Sequence, residues 1–189
     1  MSKIKAPLGV YSVLGNHDYG EYTSWKSNEE KNRNFKNLLK AQKEFGWNLL
    51  LNENDTISVD GNKIKVIGVE NWASSRFQQY GDLEKAYNGL NNEDFKILMT
   101  HNPSHWNAKV TDAYNDIDLT LSGHTHGLQY GIDIGDFRVS PVRLAYKQWA
   151  DLYELNKQYI YVNRGFGFMG YPGRVGILPE ITILELKKS

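Results

Sequence analysis

The sequence predicts an α/β domain with mixed sheets covered by helices, and three observations carry that expectation. The order of segments reads strand, helix, hairpin, helix, strand, helix, strand, and then mostly strands. The hairpin signals break what would otherwise be an all-parallel alternation. Several short apolar runs end abruptly in glycine or histidine, as strands do when they pass into loops that carry chemistry.

Taken in order, Val10 to Leu14 is a short apolar run closed by Gly15 and reads as a buried strand. Ser27 with Glu30 three residues later has the form of a capping box. Phe35, Leu38, Leu39 and Phe45 then recur at helical spacing and Gly46 follows, which predicts a helix from about Asn28 to Phe45. Ile57 and Val59 face Ile64 and Val66 across Asp60-Gly61-Asn62, a hairpin whose second strand runs on to Val69 and ends at Glu70-Asn71. Asp82 caps a short helix with Leu83, Ala86, Tyr87 and Leu90 on one face. Phe95 to Met99 is the next buried strand, and it ends at Thr100-His101. Ser104 is placed to cap a helical turn or two through Val110. Leu119 to Leu121 is a strand ending at Ser122-Gly123, and Ile132 to Val139 reads as a hairpin around Gly135-Asp136. Tyr159 to Val162 and Ile181 to Leu186 read as the last two strands. No repeat, linker or low-complexity stretch divides the chain, so residues 1–189 are expected to form a single domain.

Composition narrows the classes. With 22 basic and 22 acidic residues the formal charge is zero, which is not the basic, clustered footprint of a nucleic-acid binder. The chain has no cysteine, which removes disulfides, thiolate metal sites and thiol nucleophiles together. No apolar run approaches the ~18 residues of a membrane helix. Met1 to Leu8 carries two lysines with no apolar stretch behind them, unlike a signal peptide. None of this assigns a compartment.

Four of the five histidines fall in three short stretches: Gly15-Asn16-His17-Asp18, Thr100-His101-Asn102-Pro103 and Gly123-His124-Thr125-His126. Neutral imidazole is a good ligand for zinc, iron, manganese or nickel, and an amide oxygen is an acceptable hard one. In an extended segment, His124 and His126 would point to one side with Thr125 on the other. If the strands are neighbours, their ends bring one amide oxygen and three imidazoles together. A pair of ions ~3.5–4 Å apart suits phosphoester hydrolysis, and a histidine that is not a ligand, here His17, would stabilise the transition state or protonate the leaving oxygen. Asp18 is placed to orient the His17 ring. Arg164 follows a strand, and its guanidinium fork suits a phosphate, as it also suits a surface ion pair. His105 reads as structural, and Trp72 and Trp106 as packing aromatics. Phe166, Phe168, Met169 and Tyr171 either wall a cleft for an apolar part of a substrate or pack beneath their glycine-rich loop.

These motifs resemble the calcineurin-like metallophosphoesterase superfamily. Leu121 to Gly127 followed by Gln129, Tyr161-Val162-Asn163-Arg164-Gly165, and Pro179-Glu180-Ile181-Thr182 resemble its bacterial phosphohydrolase branch. The resemblance runs from about Tyr11 to Leu186. It implies a four-layer α/β/β/α sandwich with a dinuclear centre of divalent ions, whether manganese, iron, zinc or magnesium. It implies Asn16, His101 and His124 as ligands of one metal and His126 as a ligand of the other. It also implies His17 as the residue that contacts substrate phosphate and assists the leaving group, with Asp18 orienting it.

The sequence departs from that pattern at its start. The superfamily has an Asp-x-His and a Gly-Asp motif ahead of the Asn-His-Asp one, which supply further ligands and a bridging carboxylate. No Asp-x-His occurs in this chain, and Gly81-Asp82 and Gly135-Asp136 lie downstream of Gly15. The chain is therefore expected to correspond to the C-terminal part of a longer phosphoesterase, or to a gene truncated at its start. The surface left by the missing part would invite pairing with a second copy. Relatives in this branch are often membrane-associated through a segment ahead of the domain. Two functions follow: hydrolysis of a phosphomonoester, phosphodiester or pyrophosphate by metal-activated water, or a non-catalytic module binding at most one metal.

Overall fold

The computed structural model describes residues 2–74, 79–135 and 137–187. Its centre is a six-stranded mixed sheet built from β3 (Glu53–Val59), β4 (Asn62–Val69), β5 (Phe95–Thr100), β6 (Leu119–Ser122), β9 (Asp151–Leu155) and β10 (Gln158–Val162). The spatial order is β3-β4-β5-β6-β10-β9. The four central strands run parallel, and β3 and β9 close the two edges antiparallel. Two short ribbons accompany the sheet: β1 (Tyr11–Ser12) with β2 (Asn48–Leu49), parallel, and β7 (Ile132–Ile134) with β8 (Phe137–Val139), antiparallel. The α/β class with mixed pairing is thus as expected. Among the described residues the sheets are this six-stranded one and the two two-stranded ribbons.

The helices follow their sequence signals. α1 (Asn28–Glu44) begins at Ser27, whose side chain accepts from the Glu30 N–H. Glu30 returns a bond to the Lys26 N–H at 3.0 Å, one residue ahead of the cap. α2 (Leu83–Tyr87) is capped by Asp82 and buries Leu83 and Ala86 against the sheet, with Tyr87 and Leu90 packed beside them. The segment from Ser104 contains a π-helical stretch, Trp106–Val110, continued by α3 (Thr111–Ala113). Its cap is not Ser104 as expected. The Asn102 Oδ1 accepts from the Ser104 N–H at 3.0 Å, because an asparagine two residues ahead reaches that amide in an Asx turn. Buried Ile67, Val69, Leu98, Trp106, Val110, Ile160 and Val162 form the main core.

Three strand expectations need correction. The run Val10–Leu14 is extended only at Tyr11–Ser12, the two residues that find a partner in β2. Ile181–Leu186 forms no strand; Ile181 and Ile183 are 85% and 93% exposed, since no backbone ladder reaches them. β9 was not anticipated. It returns to β10 through Asn156-Lys157, both with positive φ (52° and 67°), a two-residue turn without the glycine that usually advertises one. The β7–β8 hairpin forms as expected, although Asp136 lies outside the described residues.

The parallel strands all deliver their C-terminal ends to one edge: Val69 before Glu70-Asn71, Thr100 before His101, Ser122 before Gly123-His124, and Val162 before Asn163-Arg164. The β1–β2 ribbon brings Leu14 and Gly15 to the same edge. It seats on β4 where Leu50 touches Gly68, so closely that a Cβ at position 68 would come within 2.2 Å of the Leu50 Cβ.

Candidate metal centre

The loop after β1 is held by its own acid. Asp18 Oδ2 accepts from the Gly15 N–H at 2.7 Å, and the Asp18 N–H donates to the Gly15 carbonyl at 3.1 Å. Burial pushes the Asp18 carboxyl above its usual range, against the pull of the Gly15 N–H and the His17 charge. Asp18 therefore shapes the turn, and the His17 ring lies against Tyr22, with centroids 4.6 Å apart, where the sequence had suggested Asp18 as its support. Gly15 has a packing reason to lack a side chain. A Cβ there would sit 2.7–2.9 Å from the His101 ring, which lies directly on the glycine. Asn16 Nδ2 donates to the Tyr22 hydroxyl at 2.9 Å, which turns its Oδ1 inward.

Two imidazole nitrogens meet that oxygen, and the three atoms form a triangle of potential ligands. His101 Nε2 lies 2.9 Å from Asn16 Oδ1, His124 Nδ1 lies 3.2 Å from the same oxygen, and the two ring nitrogens are 3.0 Å apart. Ions of this class bind nitrogen and oxygen at ~2.1 Å, so two donors at right angles stand ~3 Å apart. The triangle has that spacing on all three sides. Burial lowers the His101 pKa to about 3 and that of His124 to about 4, helped in each by neighbouring histidines, so both rings are neutral and their lone pairs available. The residues present therefore fit one divalent ion. Among the described residues, no group of three or more His, Asp or Glu side chains is close enough to hold a metal; the cluster is two imidazoles and an amide, without a carboxylate.

His124 and His126 reach the site by an unexpected route. The segment is not extended: His124 and His126 have φ of +70° and +51°, and Thr125 between them is helical. Buried Thr125 pins the turn by donating to the Trp149 carbonyl at 2.6 Å and accepting from the Gly127 N–H. Consequently the two rings diverge. His124 joins Asn16 and lines a cavity of about 490 Å³ with His17, Asn71, Asn102 and Tyr146. His126 lines a neighbouring cavity of about 460 Å³ with Gly15, Asp18 and His101, and its buried Nδ1 has no hydrogen-bond partner among the described residues. His17 and Met169 belong to the walls of both.

Arg164 is held between two acids. Its guanidinium binds Asp133 and, through Nε at 2.6 Å, Glu180, whose other oxygen is held by Tyr161. Arg174 instead spans backbone: it donates to the carbonyls of Arg164 (2.8 Å), Gly167 (2.8 Å) and His126 (3.3 Å), and so ties the glycine-rich loop to the His124–His126 turn. His105 is structural, as expected, with Nδ1 3.0 Å from Thr100 Oγ1 and its ring stacked on Trp72. Phe168 and Met169 do wall a cavity, while Phe166 and Tyr171 stay exposed.

Sequence reasoning missed Tyr146. Its hydroxyl lies 2.7 Å from His124 Nε2. For Nδ1 to serve as a ligand, Nε2 must carry the proton and donate it to the Tyr146 oxygen, the usual arrangement behind a metal-bound histidine. Nothing in the spacing of Tyr146 announces this; only the preceding 3-10 turn at Pro141–Leu144, whose Val142 packs with Trp149, brings it there.

Residues 1–128 match the family model described as calcineurin-like phosphoesterase. Over its full length the chain is 31% identical to the uncharacterized metallophosphoesterase YkuE of Bacillus subtilis, of which it covers 60%. It is 31% identical to a transmembrane protein with metallophosphoesterase domain from Bos taurus, covering 41% of it. It is 26% identical to the Bacillus subtilis metallophosphoesterase YkoQ, with 98% of this chain and 63% of that protein matched. The chain thus spans between 41% and 63% of these relatives' length. Among solved structures, the NAD nucleotidase NadN of Haemophilus influenzae aligns with 82% of this chain and 33% of its own, at 21% identity and a TM-score of 0.47.

Proposed function

The chain belongs to the calcineurin-like phosphoesterase family of hydrolases, and from that premise we propose that it hydrolyses a phosphate ester at a divalent-metal site held by Asn16, His101 and His124. The donor triangle of 2.9, 3.0 and 3.2 Å carries this reading. A divalent ion there supplies Lewis acidity toward phosphate oxygens and lowers the pKa of water. The protein's own groups do the rest. His17, shared by both cavities, donates a hydrogen bond to a phosphoryl oxygen and passes a proton to the leaving oxygen. Asp18 keeps the Asn16-His17 turn closed through the Gly15 N–H. His126, which lines the adjoining cavity, is the residue available to a second ion. Arg164, engaged through Nη1 by Asp133 and through Nε by Glu180, serves first as an ion-pair anchor of the loop after β10.

The absence of a carboxylate from the donor triangle supports a second reading, a module that binds one ion and does not turn over. One experiment separates the two. The chain is titrated with manganese or zinc by calorimetry and assayed on phosphomonoester and phosphodiester substrates, with His124→Ala alongside. Tight binding and hydrolysis, both abolished by His124→Ala, support the enzyme. Binding lost in His124→Ala but no hydrolysis supports the module. Wild-type affinity in His124→Ala rejects both.

A further inference from the structure

The donor triangle straddles two cavities of unlike chemistry. Asn16 and His124 line one, of about 490 Å³, and His101 lines the other, of about 460 Å³. His17 belongs to the walls of both. The second cavity holds Asp18 and His126, which makes it the ionic side of the cleft. The first is lined, among the described residues, by no Lys, Arg, Asp or Glu. Its wall includes Leu128, Val142, Ala145, Tyr146 and Met169, with the neutral hydrogen-bonding groups of Asn71, Asn102 and Thr125 between them. The fold fixes this wall. Val142 and Tyr146 pack with Trp149, and the Leu128 N–H donates to the Thr125 carbonyl at 2.9 Å. The Met169 N–H is held by Gln129 Oε1.

A phosphate ester has two ends with opposite needs. The phosphoryl group is anionic and belongs at the donor triangle, beside His17. The alcohol portion must then lie in one of the two cavities, and their walls decide between them. An apolar ring or chain entering the first cavity leaves water for apolar contact, which is favourable. A second ionised group entering it would lose its hydration with no opposite charge in the wall to replace it, which is costly. The amides and the Thr125 hydroxyl supply hydrogen bonds but no compensating charge. Lys147 lines a separate cavity that shares Ser74, Ser104 and Ala145 with this one.

We propose that the cavity beside His124 receives the alcohol portion of the ester, so that the site takes phosphate esters of an uncharged, largely apolar alcohol and rejects those whose alcohol carries a second ionised group. The placement of the phosphate rests on the phosphoesterase reading above; the choice of alcohol rests on the wall. The test is calorimetric titration of the whole chain, loaded with manganese, with phenylphosphonate and with meta-carboxyphenylphosphonate. Neither ligand can be hydrolysed at an ester bond, and they differ by one carboxylate. Phenylphosphonate is expected to bind about tenfold more tightly, or better still. Met169→Lys places a cation on the apolar wall and should close or invert that gap by tightening the carboxylated ligand. Met169 is 41% exposed, so the variant should melt as the wild type does. Equal binding of the two ligands, tighter binding of the carboxylated one (as a cation reaching in from Lys147 would give), no binding of either, or a gap that Met169→Lys leaves unchanged would each overturn the proposal. Hydrolysis of phenyl phosphate and meta-carboxyphenyl phosphate is followed alongside. Turnover of both at equal kcat/KM would overturn the proposal and leave the phosphoesterase reading intact. Discrimination between the phosphonates without hydrolysis of any ester would do the reverse.

Discussion

The donor triangle works only if each ring presents the right nitrogen, and that choice is made by residues behind the rings. Asn16 is turned by Tyr22, and His124 is turned by Tyr146 at 2.7 Å. Removing the Tyr146 hydroxyl leaves its ring in the cluster with Val142 and Trp149 but deprives His124 Nε2 of an acceptor. Tyr146→Phe is therefore expected to weaken metal affinity by roughly 10- to 100-fold while the melting temperature of the metal-free protein stays the same. Calorimetric titration checks it, and an unchanged affinity would remove Tyr146 from the site. The imidazoles and the amide were legible in the sequence because rare residue types sat where buried runs ended. Tyr146 was not, since its role depends on a turn that no local pattern encodes. The ion pairs of Arg164 were illegible for the same reason. Its partners, Asp133 and Glu180, come from segments whose approach only the fold reveals.

Among elements, turns were harder to read than strands. β5 and β6 have compact apolar runs, and their ends fell where the sequence placed them. The His124–His126 turn was read as extended, yet it alternates left- and right-handed residues under the Thr125 clamp, and this separates the two rings into adjoining cavities. The β9–β10 hairpin was missed because Lys157 occupies a position, φ +67°, where a glycine would have given the signal. A side chain there is strained. Lys157→Gly should stabilise the protein by up to ~1 kcal/mol, since relief of left-handed strain outweighs the added chain entropy of glycine. Urea unfolding measures it, and a loss of stability would show that the turn tolerates lysine without strain. The C-terminal residues 181–186 show the opposite error: their alternation is strand-like, but a strand needs a partner, and periodicity does not supply one.

Across the whole molecule, an ionic chain joins distant parts. Asp151, Arg138, Asp133, Arg164 and Glu180 link the start of β9, the β7–β8 hairpin, the loop after β10 and the C-terminal segment. Although burial opposes ionisation, bonds from Thr182, Tyr161 and Arg164 hold the Glu180 pKa down to about 2, from an ordinary 4.5. A depressed acid contributes stability that is fully present above the unfolded-state value and is lost as pH falls through the folded-state value. Stability should thus decline from about pH 4.5 toward about pH 2, and Glu180→Gln should flatten that decline by on the order of 2 kcal/mol. Denaturant titrations across that range test it; parallel profiles for the two proteins would contradict it. One more consequence concerns distance. Asn16 hangs from the β1–β2 ribbon and the imidazoles from the main sheet, and the two supports rest on each other at Gly68 and Leu50. That contact acts as a shim setting the spacing between the amide and the imidazoles. Gly68→Ala would thicken it, lift the amide off the rings, and cost ion affinity in a calorimetric titration, although residue 68 is not among those that line either chamber.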